Sequence, residues 1–563
     1  MKKILLIAIN ARYSHSNLAL RYLRETVSDL DHHVILKEFS INQKIATIID
    51  SIEEESPDVI ALSVYIWNSD MVKDLITLLE KKRIPLVCGG PEVSYNPEKW
   101  LAASSAVTWI ITGPGEGAFR KLAASDFTLP GGILADESIP FNKVPFPYHK
   151  EDLANLKNRY IYYESSRGCP FRCSYCLSSR KDQKLQLRDT AQVKKEIAFL
   201  VKEGAGTIKF VDRSFNADRI FSREIWRYCI ETFSPEEAHF HFEVFPSLLE
   251  EEDFTLLSET PDGLFQFEIG IQSIHDQTLK EISRPGSWSD IEAKVQRIIA
   301  MGTIHVHVDL IAGLPFEDYH GVRASFNALA RLGAEHLQLG FLKVLPGTAM
   351  AACSEPYGIE HEPAAPYGIL KNRWLTGDEI IRLKDMARLL DIYGNSHKYK
   401  NTINELTACF PEPFLLWETL SDMGKEVKAD STPETSWETR AALLLSFAEK
   451  HFPQKKIFFK DTLRWDWILL TKRHRFPSLL DDGTVSGPRK EIIFTLQNEN
   501  SRLAVTPPGI SWSTEELRRA VIFLPATKIF QDRYLGGDDV CLILPSQNIT
   551  FSFKKSALEN EEQ

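Results

Sequence analysis

The sequence predicts an α/β protein. It has an N-terminal doubly wound, Rossmann-like domain, a partial (β/α)6 barrel, and a mixed, mainly helical C-terminal region with some late strands. Three observations carry this prediction. Over roughly the first 125 residues, short apolar runs alternate with amphipathic stretches, as in a parallel sheet covered by helices. A second alternating series repeats the pattern six times. From Pro366 the pattern becomes helical, with short β-type runs near the end.

In the first series the expected strands are Lys3–Ile9, His33–Phe39, Val59–Tyr65, Pro85–Cys88 and Thr108–Thr112, with amphipathic stretches such as Leu18–Leu30 and Asp70–Lys82 between them. Residues 1–128 form this domain. Residues 129–154 hold Pro130, Gly131, Gly132, Pro140, Pro145 and Pro147 and read as a linker. Residues 155–365 form the barrel. Its expected strands are Tyr160–Glu164, Thr207–Asp212, His239–Val244, Leu264–Ile271, Ile304–Ile311 and His336–Lys343. Helical patterns such as Ala191–Lys202, Ser222–Phe233 and Ile291–Met301 separate them. Reactive groups of such barrels sit where strands end, and polar or special residues follow every one of these strands. Residues 366–563 form a third region. Thr376 and Glu379 have capping-box spacing ahead of a helix over Ile380–Tyr393. Glu491–Leu496, Val521–Leu524, Val540–Leu544 and Ile549–Phe553 read as short β runs.

Composition narrows the function classes. With 563 residues, 43% of them hydrophobic and 25% charged, the chain can bury several cores and is not mainly disordered. A net charge of −11 disfavours a globally basic nucleic-acid binder. The N-terminal run Ile4–Ile9 follows Lys2-Lys3 but is too short for a signal peptide and lacks a cleavage site. No stretch approaches the ~18–20 apolar residues of a membrane span. The expectation is a cytoplasmic protein with reduced cysteines.

Three of the eight cysteines crowd into Cys169-Pro170-Phe171-Arg172-Cys173-Ser174-Tyr175-Cys176, a C-x₃-C-x₂-C loop after the first barrel strand. A short Gly- and Pro-containing loop lets three thiolates converge. Structural zinc wants a fourth protein ligand, and none is near, since the next cysteine is Cys229. Three thiolates with an open position suit a 4Fe-4S cluster whose fourth iron binds something else. The alternatives are a structural zinc site or unligated core thiols.

This loop resembles the signature of radical S-adenosylmethionine (SAM) enzymes, including the aromatic Tyr175 before the third cysteine. The resemblance implies a partial β/α barrel in which Cys169, Cys173 and Cys176 ligate the cluster and Tyr175 packs near the adenine. It implies that the open iron chelates SAM, and that reduction cleaves SAM to methionine and a 5′-deoxyadenosyl radical. Phe210-Val211-Asp212-Arg213 falls where the family contacts the SAM amino group, although its Gly-Gly-Glu element is absent there. Phe267–Ser273 and Asp309–Pro315 are similar to the family's fourth- and fifth-strand motifs. The implied SAM contacts are Tyr175, Asp212, Glu243, Glu268 and Gln272. For Glu243, Glu268 and Gln272 the alternative is ordinary strand-end hydrogen bonding.

The N-terminal domain lacks G-x-G-x-x-G in its first loop, which disfavours NAD. It resembles the cobalamin-binding domain that precedes the barrel in one radical SAM class. Ser63-Val64-Tyr65 and Gly89-Gly90 match that domain's Ser-x-Leu and Gly-Gly elements, whereas its Asp-x-His-x-x-Gly element has no counterpart. The usual histidine ligand to cobalt is therefore missing. Candidate cobalamin contacts are Ser63, Gly89, Gly90, Gly113, Gly115 and His15, the last with a surface histidine as its alternative. A second cluster is disfavoured, because the N-terminal domain holds only Cys88, and Cys353, Cys409 and Cys541 lie far apart. Lys472-Arg473-His474-Arg475 reads as a solvated basic turn.

The resemblance implies a cobalamin- and SAM-dependent radical enzyme, methyl transfer to an unactivated centre being the leading reaction. It also implies a flavodoxin- or ferredoxin-type electron donor and a small-molecule or peptide substrate, while hydropathy argues against a membrane and net charge disfavours nucleic acid. Two alternatives stay open: a radical cyclase or rearrangement enzyme that transfers no methyl group, and a non-catalytic cobalamin or redox sensor.

Overall fold

The computed structural model describes residues 1–135, 139–179, 184–423, 435–473, 475–481, 486–497, 513–523, 526–544 and 549–558. The chain divides into two compact units, Met1–Ile380 and Ile381–Gln563.

The first unit begins with a six-stranded parallel sheet: β1 (Lys3–Asn10), β2 (His33–Ser40), β3 (Val59–Ser63), β4 (Leu86–Gly89), β5 (Val107–Thr112) and β6 (Gly132–Ala135). Their order is β2-β1-β3-β4-β5-β6. Strand β1 explains the layering. Leu5, Ile7 and Ile9 pack with Ile60, Val72 and Leu75 on one face, while Ile4, Leu6 and Ala8 pack with Leu20, Phe119 and Leu122 on the other. Both faces are covered, so the strand reads as a continuous apolar run. Each fully buried aliphatic side chain contributes about 1.5–3 kcal/mol. The chain leaves β1 toward β2 on one side and returns as β3 on the other. This reversal opens a crevice at the carboxyl ends of β1 and β3.

One expectation is corrected here. Residues 129–154 are not only a linker, because they carry β6, which pairs in parallel with β5 from Trp109↔Gly132 to Thr112↔Ala135. Gly132, at φ +148°, starts an edge strand where proline and glycine are tolerated. The same segment holds a helix over Lys150–Asn155.

The second sheet has six parallel strands, each next to its sequence neighbour: β7 (Ile161–Tyr163), β8 (Thr207–Phe210), β9 (His239–Glu243), β10 (Phe265–Gln272), β11 (Ile304–Ala312) and β12 (His336–Phe341). This is the expected partial barrel. Burial alternates strictly along β10 and β11. The face toward the helices is aromatic, with Phe210 stacked on Phe242 at 4.7 Å and Trp226 against Phe267 at 5.6 Å. The inner face is polar. One row runs Tyr162–Lys209–His241–Gln266–His305 across the strand register, and the next runs Glu243–Glu268–His307–His336.

The boundary expected after residue 365 lies later. Val344 N–H donates to the Tyr367 carbonyl at 2.9 Å, and Ile369 N–H donates to the Leu342 carbonyl at 2.9 Å. The segment 366–371 is thereby stitched to the end of β12. The helix expected over Ile380–Tyr393 spans Gly377–Leu389, with Thr376 and Glu379 capping each other's backbone N–H.

The second unit contains helices over Lys400–Thr407, Pro413–Ser421, Trp437–His451 and Lys456–Thr471. It also has an antiparallel sheet of β13 (Val521–Phe523), β14 (Val540–Leu544) and β15 (Ile549–Phe553). The β run expected at Glu491–Leu496 is instead the second half of a helix, Ser486–Leu496. Ile492, Ile493 and Leu496 are all buried, and a helix sets the three on one side, whereas a strand would turn Ile493 to the opposite face. Leu524 and His474 lie outside the described residues. Among the described residues, no helix is long and apolar enough to cross a membrane.

Candidate active site

The cysteine loop leaves a two-residue strand, Ser166–Arg167, that pairs with Gln186–Leu187. Gly168 sits at φ +93°, and a Cβ there would lie 2.6 Å from the Lys184 carbonyl oxygen. Only glycine fits, and this bend turns the thiols inward. Ser174 N–H donates to the Ile282 carbonyl at 2.9 Å, and the Ser174 carbonyl accepts from Met350 N–H at 2.8 Å. The loop is thus held from two sides of the barrel. Cys169 and Cys173 are buried and Cys176 is half-buried. Burial pushes the Cys169 thiol up, and the neighbouring Cys176 and Cys173 add to the shift. Binding to iron would reverse this by stabilising the thiolate.

All three thiols open onto one cavity of about 250 Å³ at the carboxyl ends of the barrel strands. Tyr175, Glu243, Glu268 and Gln272 also line it. Asp212 does not. Its carboxylate accepts from Ser165 N–H at 3.1 Å and from Ser165 Oγ at 2.6 Å, and it is 1% exposed. It braces the start of the cysteine loop, and Arg213 and Ser214 face the cavity in its place.

Two lining residues, Arg284 and Asp309, were not among the expected SAM contacts. Arg284 follows the fourth barrel strand with no motif around it. Its guanidinium lies 3.8 Å from Cys173 Sγ and 3.4 Å from the Tyr175 hydroxyl, donates to the Gly270 carbonyl, and covers the Phe245 ring at 4.7 Å. Phe245 in turn stacks on Phe171 at 4.1 Å. Asp309 belongs to a recognised motif, but its role was not legible. Burial pushes its carboxyl up to about 8, with Glu268 and Glu243 adding to the effect. Burial likewise raises Glu243 to about 7, whereas the His241 imidazole, its Nε2 2.9 Å from the Glu268 carboxylate, holds Glu268 low.

Two buried acceptors, Gln272 Oε1 and Asp309 Oδ1, have no hydrogen-bond partner among the described residues. Gln272 also holds φ +75°, a left-handed conformation that costs a non-glycine residue about 1–3 kcal/mol. Orphaned acceptors and stored strain at one cavity mark a ligand site. The three thiols, the orphaned acceptors and the Arg284 guanidinium fit an iron-sulfur cluster bearing SAM. Among the described residues, no three His, Cys, Asp or Glu side chains converge as ligands of a single metal ion.

The corrin candidates gather around the crevice of the first sheet. Gly90 at φ +112° would place a Cβ 2.5 Å from the Val64 carbonyl oxygen, so the β3 and β4 loops meet backbone to backbone. Gly89 ends β4, and Gly115 precedes a helix over Glu116–Ala124. Gly113 N–H donates to Ser94 Oγ at 3.3 Å, and Ser63 Oγ accepts from Asn17 at 3.2 Å. Tyr65 and Trp67 stack at 4.3 Å, with Trp67 44% exposed. Glycine backbone beside the exposed Trp67 ring fits a large flat ring.

His15 turns toward the barrel instead, with its Nδ1 2.6 Å from the Tyr162 hydroxyl. Other loops of the first sheet are bonded to the barrel mouth. Glu116 pairs with Arg167 at 2.8 Å, Glu92 accepts from the Tyr367 hydroxyl at 2.6 Å, and Tyr95 fills the space that a Cβ on Gly347 would need.

Comparison with known proteins agrees with this geometry. Residues 4–123 match the B12 binding domain family, 163–329 the radical SAM superfamily, and 355–525 a family described as protein of unknown function (DUF4080). The cobalamin-dependent radical SAM methyltransferase TokK of Streptomyces tokunonensis is 26% identical over 353 residues, covering 55% of this chain and 51% of TokK. The 2-(S-pantetheinyl)-carbapenam-3-carboxylate methyltransferase of Streptantibioticus cattleyicolor is 25% identical over 372 residues, 58% of this chain and 54% of that protein. The chain thus spans about half the length of these relatives. In fold it resembles the cobalamin-dependent SAM radical enzyme OxsB with aqua-cobalamin bound, at a TM-score of 0.58 and 14% identity, over 84% of this chain and 80% of OxsB. The family domains bring a 4Fe-4S cluster, SAM and cobalamin as cofactors. Three family matches thus follow one another along the chain: a B12 binding domain, then the radical SAM superfamily over the barrel, then a region of unknown function.

Proposed function

We propose that this protein is a cobalamin-dependent radical SAM methyltransferase acting on an unactivated centre of its substrate. One observation carries the reading: three thiols, a guanidinium and two orphaned acceptors share a cavity at the barrel mouth, where the strand-end loops of the B12 binding domain are bonded. The cofactors would supply one-electron cleavage of SAM and a methyl carrier.

The chain's own residues bind, orient and exclude water. Cys169, Cys173 and Cys176 hold the cluster on a loop tied to Ile282 and Met350. Arg284 suits the carboxylate of SAM, since its planar fork pairs carboxylates better than a point charge does. Asp309, held at about 8, is protonated at neutral pH and can donate to a hydroxyl or ring nitrogen. Gln272 offers an acceptor beside it. Phe171 and Phe245 wall the cavity against water, which would quench a reactive carbon centre. A flavodoxin- or ferredoxin-type donor supplies the electron.

The test needs no known substrate. The protein is reconstituted anaerobically with iron, sulfide and cobalamin, then reduced with dithionite in the presence of methyl-labelled SAM. The reading expects 5′-deoxyadenosine to form, and label to appear in the corrin fraction. Alanine at Cys169, Cys173 or Cys176 should abolish deoxyadenosine. Deoxyadenosine without corrin label would sink methyl transfer and favour a rearrangement. No SAM cleavage at all would favour a sensor.

A further inference from the structure

Barrel interiors are ordinarily filled by branched apolar side chains. Here the inner row one step toward the amino ends from Glu243 and Glu268 carries Tyr162, Lys209, His241, Gln266 and His305. Lys209 stands apart in this row. Its ammonium lies 4.4 Å from the Tyr160 ring centroid, a cation–π contact. Among the described residues no carboxylate lies within ion-pair distance of it, although Glu243 and Glu268 face the same lumen and act on its charge from further away. Glu268 is instead engaged by His241 at 2.9 Å. A partly buried, unpaired lysine inside a polar lumen is costly unless something anionic visits it.

The row above, with Glu243 and Glu268, lines the cofactor cavity. Lys209 therefore sits one inner row deeper, two residues or about 6.6 Å along the strand. A group held at Lys209 would leave the rest of its molecule reaching up into that cavity. The two glutamates sharing the lumen disfavour a dianion such as phosphate and favour a single negative charge.

We infer that Lys209 is the anchor for a substrate carboxylate, so that the substrate is a carboxylic acid bound in the barrel lumen with its reacting atom several bonds from the acid group. The inference rests on the radical-enzyme reading only for the word substrate. The anchor itself is testable without turnover.

The full chain, reconstituted with cluster and cobalamin but without SAM, is pulsed with isotopically labelled acetic anhydride under anaerobic conditions. Acetylation of each lysine is read by peptide mass mapping. The competitors are butyrate, butyramide and inorganic phosphate at matched ionic strength. Butyrate should slow labelling of Lys209 about twofold at the concentration that half-fills the site, and leave the exposed Lys73 unchanged. Butyramide should do nothing. If phosphate protects as well as butyrate, the carboxylate class is wrong. If no competitor alters Lys209, or if it never labels, the anchor is overturned. Loss of SAM cleavage in the separate assay would leave this result standing, so the two readings fail independently.

Discussion

Asp309 shows how one buried carboxyl couples the cavity to pH. Burial, then the charges of Glu268 and Glu243, holds it at about 8 against an ordinary 3.8. The folded protein therefore keeps a proton that the unfolded chain releases. This contribution is full below pH ~4 and is lost as the pH rises toward 8. Asp309→Asn removes that loss. Without SAM, the variant should gain in melting temperature over wild type as the pH goes from 5 to 8, and the gap should level off above 8. A gap that stays constant with pH would mean that Asp309 is ionised in the fold. At Gly90, alanine must both adopt φ +112° and clear the Val64 carbonyl. Gly90→Ala should cost about 1–3 kcal/mol in urea unfolding and reduce cobalamin retained through gel filtration. At this scale the sequence was readable where spacing is the signal, as in the three cysteines. It was silent on Arg284, because a lone arginine in a loop gains its meaning only from what the fold brings beside it. It misled on Asp212, whose position matches a contact but whose carboxylate is already engaged by Ser165.

Among the elements, the barrel strands were legible because alternate burial prints a period of two into the sequence. Strand β6 was not, since its Pro- and Gly-bearing surroundings look like a turn. The helix Ser486–Leu496 was misread because a short apolar run fits either period. The two faces of the barrel sheet also differ in what they contribute. Trp226 is fully buried in the aromatic layer, and Trp226→Ala should cost about 3–5 kcal/mol. Gln266, half-buried on the inner face, bonds only other polar groups at 3.3–3.4 Å. Gln266→Ala should cost less than about 1 kcal/mol. Chemical denaturation of both variants tests the asymmetry, and equal losses would refute it.

For the whole molecule, the structural boundary at Ile380 falls inside the family of unknown function, which begins at residue 355. The difference arises because residues 366–371 are hydrogen-bonded to the end of β12. Both candidate cofactor sites lie in the first unit. Cobalamin should therefore raise the unfolding transition of that unit alone, by about 2.7 kcal/mol at a hundredfold excess over Kd. Scanning calorimetry of the full chain should resolve a second transition that does not move. A joint shift of both would show that the units unfold as one.

The polar lining of the barrel has one more consequence. Because the aromatic layer outside the sheet holds the strands together, the inward positions are released from the duty of filling space. Substitutions there are cheap for folding yet decisive for what the lumen accepts. A lineage built on this scaffold can therefore change its chemical diet by rewriting a few inward side chains, while the cysteine loop and the glycine crevice stay as they are.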